Sequence, residues 1–296
     1  MDKAEDILRH VRRIELQARK LATAGFVGQY RSGFRGQGLD FDEFREYTPG
    51  DEPRFIDWKV TARVGVPYVR KFHEDREQVL LLAVDTSGSM RYASQGRPET
   101  KLEYAARLAA VLAYSAAQNG DKCGLLLFGT QPRFYLPPAK GARQTLRIVR
   151  EIISAPAGGH DESIDAVASE ILRTQRKRAM IFLISDFWGT QDKSALGKLA
   201  FRHELIPVRA VDPCELDLPR AGMTCLRDPE SGELAEADLG NPELLASYNM
   251  AAQKHRNGWN RDFRQLGLDL VDLKTSDDFI PPLRAMFARR SRLFAR

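Results

Sequence analysis

Two apolar segments that each end in an aspartate constrain the fold of this 296-residue chain most strongly. The first runs from Val79 to Val84 and is followed by Asp85, and the second runs from Ala179 to Ser185 and is followed by Asp186. A short, continuous apolar run is typical of a strand that is buried on both faces, as in a parallel sheet. Because ligands bind beyond the carboxyl ends of such strands, the two aspartates are predicted to meet at one site.

Apolar runs alternate with amphipathic segments over the rest of the chain. Helices are predicted at 101–119, 143–154, 163–175, 192–203 and 242–266. Further strands are predicted at 123–128, 133–136, 206–211 and 268–273, with a hairpin over 224–237 that turns at Ser231-Gly232. This alternation predicts an α/β fold with a doubly wound, mostly parallel sheet.

Three segments of different composition divide the chain. Residues 1–76 form a lead-in, with an amphipathic helix over 4–24 and a charge-dense stretch whose many aromatic residues predict a small, β-rich ordered subdomain with Trp58 in its core. Residues 77–275 form the α/β domain, and 276–296 form a basic helical tail. We favour packing of both terminal helices on the protein itself, with contact to a partner or a membrane surface as the alternative.

Charge and cysteine usage limit the class of protein. The formal net charge is only +5, with 45 basic and 40 acidic residues, which does not by itself imply nucleic-acid binding. No apolar run is long enough to span a bilayer, and the first residues lack the core of a signal peptide. The 3 cysteines form no CxxC pair and fit reduced thiols, so a cytoplasmic protein is expected.

The loop after the first apolar run has the side chains of a metal site. Asp85, Ser87 and Ser89 alternate, and Gly88 permits a tight turn that brings their oxygens together. Carboxylate and hydroxyl oxygens are hard ligands that suit Mg²⁺ or Mn²⁺, and such a loop leaves coordination positions for water or an incoming carboxylate. The alternative is that Asp85 and Ser87 only cap the following turn.

Three segments resemble known families. Two segments resemble the metal-ion-dependent adhesion site of von Willebrand factor A domains: Val84-Asp85-Thr86-Ser87-Gly88-Ser89-Met90 and Ile184-Ser185-Asp186-Phe187. A third segment resembles the signature of the family called domain of unknown function 58: Gly36-x-Gly38-x-x-Phe41-x-x-x-Arg45-x-Tyr47-x-x-Gly50-Asp51-x-x-Arg54-x-Ile56-Asp57-Trp58-Lys59. Together these segments cover residues 36 to about 190 of the chain.

The resemblance implies a function in protein binding. It implies a von Willebrand A, Rossmann-like domain in which Asp85, Ser87, Ser89 and Asp186 hold the cation. Members of the family resemble partners of MoxR-type AAA+ ATPases, which implies an adaptor or co-chaperone that helps assemble or mature protein complexes. The expected partners are such an ATPase, a client protein or both, without nucleic acid.

One position departs from the family pattern. Members carry a glycine-glycine-threonine-aspartate segment whose threonine binds the metal, whereas this chain has Gly158-Gly159-His160-Asp161. Asp161 is one possible replacement ligand, and His160 is another that would favour Mn²⁺ or Zn²⁺. The third outcome is a degenerate site on a metal-independent scaffold.

The same histidine raises a hydrolase as a rival hypothesis. Ser87, His160 and either Asp186 or Asp161 are the residue types of a nucleophile, a base and an orienting acid, and a metal could instead activate water. The sequence has no Gly-x-Ser-x-Gly elbow, no H-E-x-x-H and no P-loop, and its other histidines are scattered. We therefore expect a protein that is not an enzyme.

Overall fold

The computed structural model describes residues 3–22, 30, 40–73, 78–94, 96, 99–129, 132–156, 164–189 and 194–294. It consists of two compact units, a smaller one at Phe34–Gln78 and a larger one that joins Met1–Gly33 to Val79–Arg296. His160, Asp161 and the first glycines of the family signature, Gly36 and Gly38, lie outside the described residues.

Strands and helices follow one another along the described residues of both units. The described strands are β1 (Asp40–Glu46), β2 (Tyr68–His73), β3 (Val79–Asp85), β4 (Lys122–Phe128), β5 (Pro132–Ala139), β6 (Met180–Ser185), β7 (Glu204–Val211), β8 (Met223–Arg227), β9 (Leu234–Asp238) and β10 (Val271–Lys274). The described α-helices are α1 (Lys3–Leu21), α2 (Trp58–Val64), α3 (Lys101–Gln118), α4 (Ala142–Ser154), α5 (Ile164–Thr174), α6 (Ser194–Arg202), α7 (Pro213–Leu216), α8 (Pro242–Gln265) and α9 (Ile280–Phe294). Short 3₁₀ turns lie at Pro53–Phe55 and Ser89–Arg91.

The central sheet confirms the predicted fold class. Its strand order is β10-β7-β6-β3-β4-β5, and every neighbouring pair is parallel except β4 and β5. From β3 the chain moves outward through β4 and β5 and then returns to β6 on the other side of β3. The order of strands therefore reverses beside β3, and the carboxyl ends of β3 and β6 form the switch point at which such sheets bind ligands.

Helices cover both faces of this sheet. Side chains of α5, α6 and α8 pack with one face of β3, β4 and β6 in a single apolar core, while α1, α3 and α4 contact one another on the other side. Leu80 to Val84 are completely buried, as expected for a central strand. A capping box starts α3: Glu103 N donates to the Thr100 hydroxyl, and Thr100 N donates to the Glu103 carboxylate at 2.8 Å. This cap fixes the first residue of the helix, Lys101, beside the sheet.

Both terminal helices belong to the larger unit. Val11, Ile14 and Ala18 on α1 are buried, and the helix contacts α3 and α4, although the sequence grouped it with the lead-in segment. On α9, Leu283 and Phe287 are completely buried because the helix packs along β10. No helix among the described residues is long and apolar enough to cross a membrane.

The smaller unit pairs β1 with β2 in an antiparallel ribbon. Asp57 is buried and caps α2, because its Oδ1 accepts hydrogen bonds from Lys59 N at 2.9 Å and Val60 N at 3.1 Å. The expectation that Trp58 lies in the core is wrong, since its exposed fraction is 69%. Asp57 turns inward to cap the helix, and the residue that follows it projects away from that buried position.

The outer strand β5 is unusually rich in proline. It forms one edge of the sheet in the described part of the chain and carries Pro132, Pro137 and Pro138. The Pro137 carbonyl accepts a hydrogen bond from Gln144 Nε2 on α4, which ties the strand to the helix that follows it.

A buried histidine makes the stability of the larger unit dependent on pH. Neither ring nitrogen of His203 has a hydrogen-bond partner among the described residues. Burial, with smaller contributions from Arg202 and Arg178, lowers the His203 pKa to about 4. In the unfolded chain this ring takes a proton below about pH 6.5, so its neutral burial opposes folding increasingly as the pH falls from 6.5 towards 4. We expect a loss of up to about 3 kcal/mol in the free energy of unfolding over this range.

Urea denaturation at about pH 7 and about pH 4.5 measures this loss. In His203→Leu the difference in the free energy of unfolding between the two pH values should be smaller than in the wild type by that amount. An equal pH dependence in wild type and His203→Leu would contradict the assignment.

Candidate functional site

Asp85 ends β3 and organises the loop that follows. Its side chain is completely buried, its Oδ1 accepts a hydrogen bond from Ser87 N at 2.8 Å, and its Oδ2 accepts one from Ser185 Oγ at 2.9 Å. Since Val84 lies opposite Ile184, the last residue of β6 is placed directly beside this carboxylate. The Asp85 carboxylate therefore fixes the backbone of the loop that follows β3, and it links the ends of β3 and β6 through a hydrogen bond.

Two serine hydroxyls converge in the same loop. Ser87 Oγ and Ser89 Oγ are 3.1 Å apart, and both side chains are buried. Thr86 points the other way, because its backbone N–H and its hydroxyl both donate to the Phe128 carbonyl at 2.7 Å. This anchor on β4 explains how alternate side chains of the loop can share one side, as the sequence predicted for Asp85, Ser87 and Ser89.

Asp186 lies just beyond the end of β6 in an uncommon backbone turn. Phe187 has a φ of 56°, a left-handed conformation that costs a residue other than glycine about 1–3 kcal/mol. Phe187 N donates to Ser185 Oγ at 2.8 Å, and His255 Nε2 on α8 donates to the Phe187 carbonyl at 2.8 Å. Trp188 N donates to Asp186 Oδ1 at 3.3 Å. These hydrogen bonds hold the Asp186 carboxylate at the edge of the sheet.

Aromatic packing contributes to the same turn. The Phe187 ring contacts Trp259 and Phe263 of α8 with centroid separations of 5.3 Å and 5.2 Å. The Trp188 ring stacks on His255 with a centroid separation of 5.2 Å. The buried area of these rings offsets the strain of the turn.

A buried lysine neutralises part of the site. Lys101 Nζ donates to Asp186 Oδ2 and to Glu215 Oε1, both at 2.5 Å, and the lysine side chain is completely buried. Burial alone would lower the pKa of the Lys101 ammonium, but the two carboxylates outweigh it and raise the pKa above its usual value. Burial, together with Asp186, raises the pKa of Glu215 even though Lys101 opposes the shift. Lys101 is therefore held as a cation and cannot act as a base at neutral pH.

The tip of the β8–β9 hairpin covers the loop. Ser89 N donates to Glu230 Oε1 at 2.6 Å, and a Cβ atom on Gly88 would lie 2.1 Å from the Pro229 carbonyl oxygen. Glu230 Oε2 is buried and has no hydrogen-bond partner among the described residues. A carboxylate oxygen with no donor thus lies against the loop that carries Ser87 and Ser89.

Most of the predicted site residues are brought together. Asp85, Ser87 and Ser89 share one hydrogen-bonded loop, and Ser185 connects that loop to the segment of Asp186. The sequence analysis missed Lys101, Ser185, Asp212, Glu215 and Glu230. Asp212 could have been found by the same signal as the other aspartates, because it directly follows β7; it accepts hydrogen bonds from Ser94 and begins α7. The other four residues take part in the site through contacts between segments far apart in the chain, which no local sequence pattern marks.

The chemistry of these residues fits a hard divalent cation. Asp85, Asp186, Ser87 and Ser89 offer buried oxygen atoms, which Mg²⁺ and Mn²⁺ prefer. The unsatisfied oxygen of Glu230 adds a negative group that a cation would compensate. The described residues contain no cluster of three or more histidine, cysteine, aspartate or glutamate side chains arranged around a metal position, so serine hydroxyls would have to complete the ligand set.

Comparison with known proteins places the chain in a family. The family described as "Protein of unknown function DUF58" matches residues 43–258, and the chain belongs to this family. Uncharacterized proteins of Mycobacterium tuberculosis and Mycobacterium bovis are 32% identical to it over 287 residues, which cover 95% of this chain and 89% of each relative. The sheet of the larger unit is doubly wound and mostly parallel, with one antiparallel pair at its edge.

Two solved structures are similar over parts of the chain. The conserved hypothetical protein BatB from Bacteroides thetaiotaomicron is 16% identical, with a TM-score of 0.46 over 73% of this chain and 99% of that protein. The manganese-loaded Plasmodium vivax TRAP protein is 18% identical, with a TM-score of 0.30 over 45% of this chain and 57% of that protein.

Proposed function

We propose that this DUF58-family protein is a divalent-cation-dependent protein-binding adaptor. In this proposal Asp85, Ser87, Ser89 and Asp186 hold Mg²⁺ or Mn²⁺ at the switch point of the sheet. The observation that carries it is the convergence of two buried serine hydroxyls and the Asp85 carboxylate, joined through Ser185 to the end of β6. When bound, the cation supplies a positive centre that an acidic side chain of a partner can complete.

The arrangement favours binding over catalysis. Lys101 is fixed as a cation between two carboxylates, and His255 uses its Nε2 to hold the Phe187 carbonyl. Both groups therefore stabilise the position of Asp186 and neither is presented as a general base. The hydrolase alternative has two forms: one uses Ser87 with His160, which lies outside the described residues, and the other uses a water activated by the metal.

The proposed partner is a MoxR-type AAA+ ATPase, a client protein or both. Support for the ATPase comes from the family resemblance, and the mixed-sign surface gives no reason to prefer nucleic acid. Cys123, Cys214 and Cys225 are unpaired, which agrees with a reducing compartment, and we place the protein in the cytoplasm as part of the proposal.

Calorimetric titration with MnCl₂ tests the cation site. Asp85→Asn should lower Mn²⁺ affinity by at least about tenfold, because it removes a charged ligand from a buried position. Thr86→Val is the matched control, since the Thr86 side chain points to Phe128 and its backbone N–H also donates to that carbonyl. Wild type and Thr86→Val should bind with equal affinity. Wild-type protein that binds no Mn²⁺ would contradict the cation site.

A pull-down tests the adaptor role separately. A purified MoxR-type ATPase should be retained by the wild type in Mg²⁺, but neither by the wild type in chelator nor by Asp85→Ala. Equal retention in all three conditions would instead support a scaffold that binds without a metal.

A further inference from the structure

The hairpin tip already occupies the approach to the loop that the proposed function assigns to a partner. Ser87 is completely buried, and Pro229 and Glu230 lie directly on Gly88 and Ser89. An incoming side chain cannot reach the serine hydroxyls from this direction while the tip is in place. The group that the tip presents there is a carboxylate, the same group that the proposed function requires from the partner.

The tip is a preformed structure. Asp228 accepts hydrogen bonds from Glu230 N at 3.0 Å and Ser231 Oγ at 2.6 Å, and its own N–H donates to the Glu233 carbonyl at 2.9 Å. Gly232 has a φ of 74°, which closes the turn in a left-handed conformation that glycine adopts readily. The hairpin therefore presents Glu230 in a fixed direction without depending on the contact with Ser89.

The two strands behind the tip are poorly anchored. Every residue of β8 and β9 is exposed or half-buried, and Met223 and Leu234 are exposed to 70% and 68%. A two-stranded hairpin without an apolar face against a core is only marginally stable. Such a segment can lift from the loop at little cost in buried apolar area, so the contacts of its tip decide whether it stays.

We propose that the β8–β9 hairpin is an internal competitor that supplies Glu230 to the bound cation, so that a partner must displace it. This inference rests on the proposed function. It assigns the unsatisfied Glu230 Oε2 to the cation, and it makes the docked hairpin the closed state of the binding site. The alternative reading is that Glu230 only accepts the hydrogen bond from Ser89 N and caps the turn that begins there.

Glu230→Gln separates these two readings. Glutamine keeps the shape of the side chain and can still accept from Ser89 N, but it loses the negative charge that attracts the cation. Glu233→Gln is the matched control, because it makes the same change in charge on an exposed residue of the same turn. Hydrogen exchange of residues 223–238, with and without MnCl₂, reports docking of the hairpin, and calorimetry reports Mn²⁺ affinity.

In the wild type and in Glu233→Gln, Mn²⁺ should slow exchange of the hairpin amides. In Glu230→Gln it should not, and Mn²⁺ affinity should fall by about tenfold. Metal-free Glu230→Gln should exchange no more than about fivefold faster than the metal-free wild type, because Ser89 N keeps its hydrogen-bond acceptor and only the charge of that acceptor is lost. If wild type and Glu230→Gln bind Mn²⁺ equally and exchange alike in its presence, the internal competitor is excluded while the cation site stands. If wild-type protein binds no Mn²⁺, both proposals fail.

Discussion

Replacing Lys101 by methionine is expected to destabilise the larger unit by about 3–5 kcal/mol, the cost of leaving buried charge without its partner. Asp186 and Glu215 both bind the Lys101 ammonium, and all three side chains are largely withdrawn from water. Methionine fills a similar volume without compensating either carboxylate. Urea denaturation at neutral pH measures the change.

Repeating the denaturation of Lys101→Met at lower pH and with Mn²⁺ tests whether the lost charge causes the destabilisation. Without the ammonium, burial should raise the pKa of Glu215 further, so lower pH should protonate this carboxylate and narrow the difference in stability from wild type. Mn²⁺ should stabilise Lys101→Met more than it stabilises the wild type, because a cation at Asp186 then replaces the missing charge. Arg173→Met, which removes an exposed partner of Glu170, should change stability little. If Lys101→Met were as stable as Arg173→Met, the buried ion pairs of Lys101 would contribute nothing to the free energy of unfolding.

Replacing Gly88 by alanine is expected to displace the hairpin tip. Gly88 has φ −59° and ψ −40°, which alanine adopts without strain, so the loop itself tolerates the change. The new Cβ would lie 2.1 Å from the Pro229 carbonyl oxygen, a backbone atom that can move only with the hairpin. The contact between Ser89 N and Glu230 would be lost, and a hydrogen bond to a charged group is worth about 1.5–3 kcal/mol.

Hydrogen exchange again provides the measurement. Amides of residues 223–238 should exchange about tenfold faster or more in Gly88→Ala, in agreement with the loss of one such hydrogen bond. Gly222→Ala is the control at the base of the hairpin, where an added Cβ meets no atom within 4 Å. Unchanged exchange in Gly88→Ala would mean that the tip accommodates the methyl group without leaving the loop.

The sequence carries the information for the sheet because that information is local. Continuous apolar runs mark β3 and β6, and an aspartate directly after each run marks the edge at which they meet. Ser185 joins Asp85 to the segment of Asp186 at this edge, while the Asp186 carboxylate itself is bound by Lys101. The serines of the loop could be grouped with Asp85 for the same reason, since their spacing alone determines which side they share.

The rest of the site depends on contacts between segments far apart in the chain. Lys101 lies 85 residues from Asp186, and Glu230 lies 141 residues from Ser89. Neither lysine nor glutamate has a local pattern that distinguishes a buried partner from a solvated charge. At Trp58 the local sequence pattern is misleading. An aromatic side chain in a charged segment indicates a core position, but Asp57 turns inward to cap α2, and Trp58 therefore projects outward.

The prolines of β5 limit how another protein can associate with this sheet. A proline has no N–H to donate, so Pro132, Pro137 and Pro138 remove three of the backbone donors from the 8 residues of this outer strand. Extension of the sheet by a partner's strand, and unwanted edge-to-edge aggregation of copies, are both disfavoured on this side. In the proposed function, recognition would therefore take place away from the flank of β5, at the loops above the carboxyl ends of the strands.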